Sequence, residues 1–167
     1  MKLTKTARKW ILIPHILFSA IMVGNMATFV ILNITVLTTS DPFLITSCYK
    51  IMNILSDTSI KASTIGATVT GIILSVGTHY GLFKYWWIIV KEILTVLLIG
   101  INLWGMYSWT LEALENIVEG GLETQSTLAN LDLWTGIVLQ SITLVFLFVI
   151  SKFKPWGYQK KYNKGSR

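Results

Sequence analysis

A few residues in this 167-residue chain have types and spacings suited to chemistry. His15, Ser19, Met22, Met26 and Asn33 fall on one narrow stripe of a helix turning about 100° per residue. Lys91 and Glu92 interrupt the apolar run "YWWIIVKEILTVLLIGIN" (85 to 102), and Lys84, Lys91, Thr95 and Asn102 share a face there. His79 lies just upstream. Histidine is the commonest protein ligand of haem iron, and methionine can be the second axial ligand. Sets of histidine and methionine also suit copper(I). A lysine ammonium can pair with a carboxylate such as a porphyrin propionate, or with a quinone oxygen.

Each residue has a plainer reading beside the chemical one. Lys91 can snorkel its ammonium to nearby headgroups, whereas the shorter Glu92 reaches less far and favours an interior polar site. His79 reads first as an interfacial histidine, and Met22 and Met26 as packing residues. Cys48 reads as a small packing residue, and Glu112, Glu115 and Glu119 as a solvated helix face. His15 is the strongest candidate because it shares its stripe with Ser19, Met22 and Met26.

The elements that must position these residues are membrane helices. The chain is 53% hydrophobic and only 13% charged, with a mean hydropathy of +0.61. Soluble domains carry about 25% charged residues. A single cysteine excludes an intrachain disulfide and any CxxC metal ribbon. The net charge of +6 does not indicate nucleic acid, because the basic residues sit at the chain ends beside apolar spans.

A bilayer-crossing helix needs about 20 mostly apolar residues. Four segments qualify, about 10–37, 60–78, 85–107 and 133–153, and they form a single membrane domain. The first is too long for a signal-peptide core of about 7 to 15 residues and is read as a retained helix. Short amphipathic segments are expected at about 43–57 and 110–119. The first places Leu44, Cys48, Met52 and Leu55 on one face, as an interfacial helix or an outer extension of span two. The second ends at Gly120-Gly121.

Charge sets the orientation. The N-terminus carries Lys2, Lys5, Arg8 and Lys9, the second loop Lys84, and the tail Lys152, Lys154, Lys160, Lys161, Lys164 and Arg167. The loop between spans three and four has only acidic charges, Glu112, Glu115, Glu119, Glu123 and Asp132. Both termini are therefore expected in the cytoplasm, with Trp10, Tyr85, Trp86, Trp87 and Trp156 marking that interface and Trp104, Tyr107, Trp109 and Trp134 the outer one. The expected fold is an all-α integral membrane protein whose four transmembrane helices form an antiparallel bundle.

Polar groups at membrane depth turn away from lipid, so the stripes on spans one and three, and Gly136, Gln140, Thr143 and Ser151 on span four, should face inward. On span two, Ser63, Ala67, Gly71 and Ser75 form a small-residue ridge for a crossing neighbour. His15 lies five residues past Trp10, and Lys91 five past Trp86, counted from the same edge. His15, Lys91, Glu92 and His79 are thus expected in one cytoplasm-facing pocket, with Asn102 deeper on the lysine stripe. Lys91 and Glu92 point about 100° apart, so each needs a partner elsewhere.

No G-x-S-x-G, H-E-x-x-H or P-loop is present, and any catalysis would be redox chemistry borrowed from a cofactor. The segments "HILFSAIMVGN" (15 to 25) and "GATVTGIILSVGTHYGLFKYWWIIVKEILTVLL" (66 to 98) resemble the DUF2269 family of bacterial membrane proteins. The shared pattern is an early histidine and V-G in helix one, T-G in helix two, an aromatic-rich loop, and W-x-x-x-K opening helix three, here Trp87 to Lys91. The pattern is more distantly similar to the CopD-like copper-resistance domain and the HemJ-type protoporphyrinogen oxidases. The resemblance covers about residues 10 to 105. It implies a bacterial cytoplasmic membrane location, His15 as a haem ligand and Lys91 as a required residue. It does not extend to protoporphyrinogen oxidation, because "TTSDPFLITSCYK" lacks the arginines that follow helix one in HemJ-type proteins.

The leading expectation is a cytoplasm-side polar pocket binding haem b, or another redox-active or planar ligand, through His15 with Lys91. A copper or small-molecule transport or resistance protein using His15, Met22 and Met26 is the second. A non-catalytic accessory or immunity subunit is the third. The expected partners are the bilayer and a small molecule, with homo-oligomerisation open.

Overall fold

The computed structural model describes residues 3–78, 82–120 and 127–155, and these form helices and no strand. Helix α1 (Lys5–Thr38) starts where the Thr4 hydroxyl accepts from the Ala7 N–H at 3.2 Å, a side-chain cap for an orphan first-turn donor. Pro14 sits inside it and cannot donate to the Trp10 carbonyl one turn back, just before His15. Helix α2 (Pro42–Leu55) is capped by Asp41 with Pro42 in its first turn. A π-helical turn over 56–60 carries the chain without a break into α3 (Lys61–Gly77). Likewise α4 (Trp86–Gly100) runs through a second π-helical turn, 101–105, into α5 (Met106–Gly120). Helix α6 (Thr127–Phe153) closes the order.

The chain therefore makes four rods, each containing a helix long and apolar enough to cross a bilayer. The segments 43–57 and 110–119 are the outer extensions of rods two and three. The π-helical turn continues the helix through "SDTSI", a stretch that otherwise looks like a break.

Contacts between side chains fix the directions. His15 meets residues 67 and 70, while Asn25 meets Ser59, so rods one and two are antiparallel. Asn53 meets Thr110 and Asn102 meets Thr64, which makes rods two and three antiparallel. Trp109 packs at Gly136 and Trp87 lies under Lys154, which does the same for rods three and four. Rod one also packs on rod four, closing the ring.

One end of this bundle gathers Lys5, Arg8, Lys9, Lys84, Lys152 and Lys154. There the Leu3 N–H donates to the Gly77 carbonyl at 2.9 Å, tying the start of the described chain to the end of α3. Asp41, Glu112 and Asp132 lie toward the opposite end. Outward faces are apolar along the rods: Trp10, Ile13, Ile31, Ile72, Ile93, Val96, Ile142 and Val145 are all exposed.

The interior mixes apolar and polar groups. Met22, Met26, Phe29 and Val36 of α1 pack with Ile45, Cys48, Tyr49 and Met52 of α2, and with Leu98, Met106, Leu133 and Ile137. On α2 the buried face is centred on Ile45 and Tyr49, and Leu44 faces outward at 40% exposure. Asn25, Asn33, Ser63, Thr64, Asn102, Gln140 and Thr143 are buried too, as the polar stripes require. Ser151 is exposed, because Ile150 takes the inward position at that end of α6.

Candidate functional site

Two elements hold the His15 ring. α1 presents it, and its partner face on α3 is made of small residues. A Cβ at Gly71 would stand 3.3 Å from His15 Cε1, and one at Gly66 would stand 2.6 Å from the Phe18 ring. Glycine at these two positions is what lets α1 approach α3 so closely. The approach brings His15 Nδ1 to 3.1 Å from the Ala67 carbonyl oxygen and 3.0 Å from Thr70 Oγ1. The Thr70 hydroxyl proton is engaged elsewhere, donated to the Gly66 carbonyl at 2.6 Å. Both neighbours of Nδ1 are thus acceptors, so Nδ1 carries the proton and donates to them. The lone pair of the neutral ring is then on Nε2.

Lys91 stands on α4 toward the same end of the bundle. The half-buried Lys91 side chain sets its ammonium over the Trp87 ring, 5.9 Å from the centroid. Lys154, from the end of α6, lies over the same ring at 5.8 Å. Trp87 is only 8% exposed and is held by Ile88 and Ile150. Among the described residues no carboxylate lies within ion-pair distance of Lys91; the one ion pair there joins Lys61 to Asp57. Glu92, one residue on, buries its Oε1 without a hydrogen-bond partner among the described residues.

The structure thus places His15 and Lys91 toward the same, basic end of the bundle. His79 lies outside the described residues, as do Lys2, Gly121, Glu123, Trp156, Lys160, Lys161, Lys164 and Arg167. Asn102 sits apart from that end, since eleven residues of helix from Lys91 correspond to a rise of about 16 Å. It is fully buried and donates to Thr64 Oγ1 at 2.8 Å. Met22 and Met26 lie in the apolar core with Phe29. On one helix, His15 and Met26 are separated by a rise of about 16 Å, several times a metal–ligand bond.

Three residues at or near the basic end carry roles that the sequence reading did not assign. Thr70 and Ala67 orient the His15 ring, and Lys154 joins Lys91 at Trp87. The T-x-T-G run on α3, Thr68 to Gly71, hinted at polar company for α1. For Lys154 the clue was a lysine directly before Pro155, at the place where α6 ends. Deeper in the bundle, Asn33, Asn102 and Gln140 each bury a side-chain oxygen that has no hydrogen-bond partner among the described residues. An apolar cleft of about 120 Å³, lined by Thr64, Ile65, Thr68, Val69, Ile99 and Leu103, opens between rods two and three. It is smaller than the 300–1,000 Å³ of ordinary ligand pockets and includes neither His15 nor Lys91.

Comparison with known proteins finds no matching family model, no matching curated protein and no matching solved structure.

Proposed function

We propose that this chain is a four-span protein of the bacterial cytoplasmic membrane, with both termini in the cytoplasm. At its basic end it binds haem or another redox-active planar ligand. The outward apolar faces of four long helices support insertion, because exposed apolar area on this scale is costly in water. The common end of Lys5, Arg8, Lys9, Lys84, Lys152 and Lys154 supports the orientation.

One observation carries the ligand reading: His15 Nδ1 is held by the Ala67 carbonyl and Thr70 Oγ1. A histidine that ligates a metal characteristically donates its other ring N–H to a carbonyl or similar acceptor, which fixes the tautomer and the ring orientation. His15 has that arrangement and keeps the Nε2 lone pair for iron. Lys91 would pair with a carboxylate of the ligand. Bound haem would supply one-electron transfer. Membership in the DUF2269, CopD-like or HemJ-type group that the sequence pattern resembles would imply the same pairing of His15 with Lys91. A single copper ion shared by His15, Met22 and Met26 is disfavoured by their separation along α1.

A second reading is a non-catalytic membrane subunit whose buried polar groups only set helix packing. The reciprocal hydrogen bonds between Asn25 and Ser59 favour it, as does the Asn102–Thr64 bond.

The deciding experiment is a visible absorption spectrum of detergent-purified protein, oxidised and then reduced with dithionite, before and after adding haemin. A Soret band that sharpens on reduction, is lost in His15→Ala and is shifted or weakened in Thr70→Val is expected. A protein that stays colourless with haemin sinks the haem reading. Full function retained in His15→Ala favours the packing subunit.

A further inference from the structure

The planar-ligand reading leaves Glu92 without a role. Its Oε1 is buried with no hydrogen-bond partner, and no cation lies at ion-pair distance from it among the described residues. The residue as a whole is half-buried, so its carboxyl group is reachable from the side of the bundle. A carboxylate at membrane depth is costly unless a donor or a cation meets it.

Helix geometry says which side that is. Glu92 and Ile99 are seven residues apart, so they share a face of α4 to within about 20°. Ile99 lines the apolar cleft between rods two and three, with Ile65, Val69 and Leu103. Glu92 thus stands on the same seam, a rise of about 10 Å nearer the basic end. The facing part of rod two follows from the Asn102–Thr64 hydrogen bond. Ten residues back along rod three from Asn102 is Glu92, and ten on along rod two from Thr64 is Leu74. Around that level Ile72 and Val76 continue the exposed apolar stripe of Ile65 and Val69. The seam is therefore apolar from the cleft toward the basic end, where it meets a carboxylate.

An occupant complementary to this seam has a cationic head with N–H donors and an apolar tail that runs into the cleft. At about 120 Å³ the cleft admits part of a chain. In a bilayer the molecule of that form is a phospholipid with a primary ammonium in its head. The order along the seam matches it, with the carboxylate nearer the surface and the cleft deeper.

We propose that Glu92 binds the ammonium of a phosphatidylethanolamine lipid whose acyl chain lies in the seam between rods two and three. The inference rests on the bilayer placement proposed above and not on the planar ligand, so its test uses no haem. The full chain, purified in neutral detergent, is titrated with phosphatidylethanolamine, phosphatidylcholine or phosphatidylglycerol of equal chain length, and with free ethanolamine. Bound lipid is counted by native mass spectrometry, and the thermal midpoint of each variant without lipid checks that its fold is kept.

Phosphatidylethanolamine is expected to bind best. The quaternary head of phosphatidylcholine has no N–H to donate, and phosphatidylglycerol has no cation. Glu92→Gln, which removes a charge and no bulk, should weaken phosphatidylethanolamine about tenfold, the strength of one hydrogen bond between charged groups. It should also erase the preference over phosphatidylcholine. Val69→Trp, which puts bulk at the cleft, should weaken all three lipids alike. Glu112→Gln, at an exposed carboxylate toward the opposite end, should leave the preference unchanged. Equal binding of the three lipids, or a preference that survives Glu92→Gln, would overturn the site. So would a Glu112→Gln effect as large as that of Glu92→Gln. Binding untouched by Val69→Trp would overturn the placement of the chain, and free ethanolamine that displaces the lipid would overturn the lipid as occupant.

Discussion

Lys61 and Lys91 look alike at first. Each lies in an apolar rod, and each sets its ammonium over an aromatic ring, Lys61 over Tyr107 at 4.5 Å and Lys91 over Trp87 at 5.9 Å. They differ in what neutralises them. Lys61 is bonded to Asp57 one turn back, beside the π-helical turn where rods two and three meet. Lys91 has a second cation, Lys154, over the same ring. The lesson is that a lysine in an apolar segment is not by itself a signature. A structural lysine brings its own carboxylate. Lys91 has no such carboxylate among the described residues, and the fold bears the cost of a partly desolvated charge.

The seam that carries the site offers the hardest test of this contrast. Gly71→Leu would drive a side chain into the His15 ring and should cost about 1–3 kcal/mol, the usual penalty of overpacking. It should also break the Nδ1 hydrogen bonds and so disturb any haem spectrum. The same change at Gly100, where a Cβ meets nothing within 4 Å, should be close to neutral. Thermal unfolding of the two variants side by side decides it, and equal losses would mean that the α1–α3 seam is not special.

A smaller effect of opposite sign is expected at the lysines. Lys91→Met replaces an unneutralised, partly buried charge by an apolar side chain of similar length. It should stabilise the unliganded protein by about 1–2 kcal/mol while abolishing binding of an anionic ligand. Destabilisation by Lys91→Met in a urea or thermal titration would show that Lys91 has a structural partner after all. The smallest effect belongs to Lys61. Lys61→Met and Asp57→Asn should each cost at most about 1 kcal/mol, because both partners are partly exposed and such pairs are weak. A larger loss at Lys61 than at Lys91 would invert the comparison.

Several parts of this arrangement were legible before any coordinates. The four spans follow from hydropathy, and the inward stripe of Met22, Met26 and Asn33 follows from a 100° turn per residue. Counting five residues from Trp10 and from Trp86 placed His15 and Lys91 at one depth, and rods one and three, which run parallel, keep them toward the same end. Asn102 lay on the same stripe as Lys91, but a helical stripe spans the whole membrane, and its far end belongs to another layer. The rods' outer extensions were harder to read. Ser56, Asp57 and Thr58 are poor helix residues, and only packing against rods one and three carries the helix through them as a π-helical turn.

What the sequence determined by itself is what sums over neighbours along the chain: apolar length, the sign of charge at each end, and which residues share a helix face. These quantities depend on local periodicity and survive any rearrangement of the rods. The tertiary structure decided the rest. His15 and Thr70 are 55 residues apart, and their hydrogen bond exists only because Gly66 and Gly71 let two rods close to backbone distance. Lys91 and Lys154 share Trp87 only because rods three and four run antiparallel and in one register. A shift of one residue along either rod, a rise of about 1.5 Å with a 100° rotation, would leave every local pattern intact and take both constellations apart.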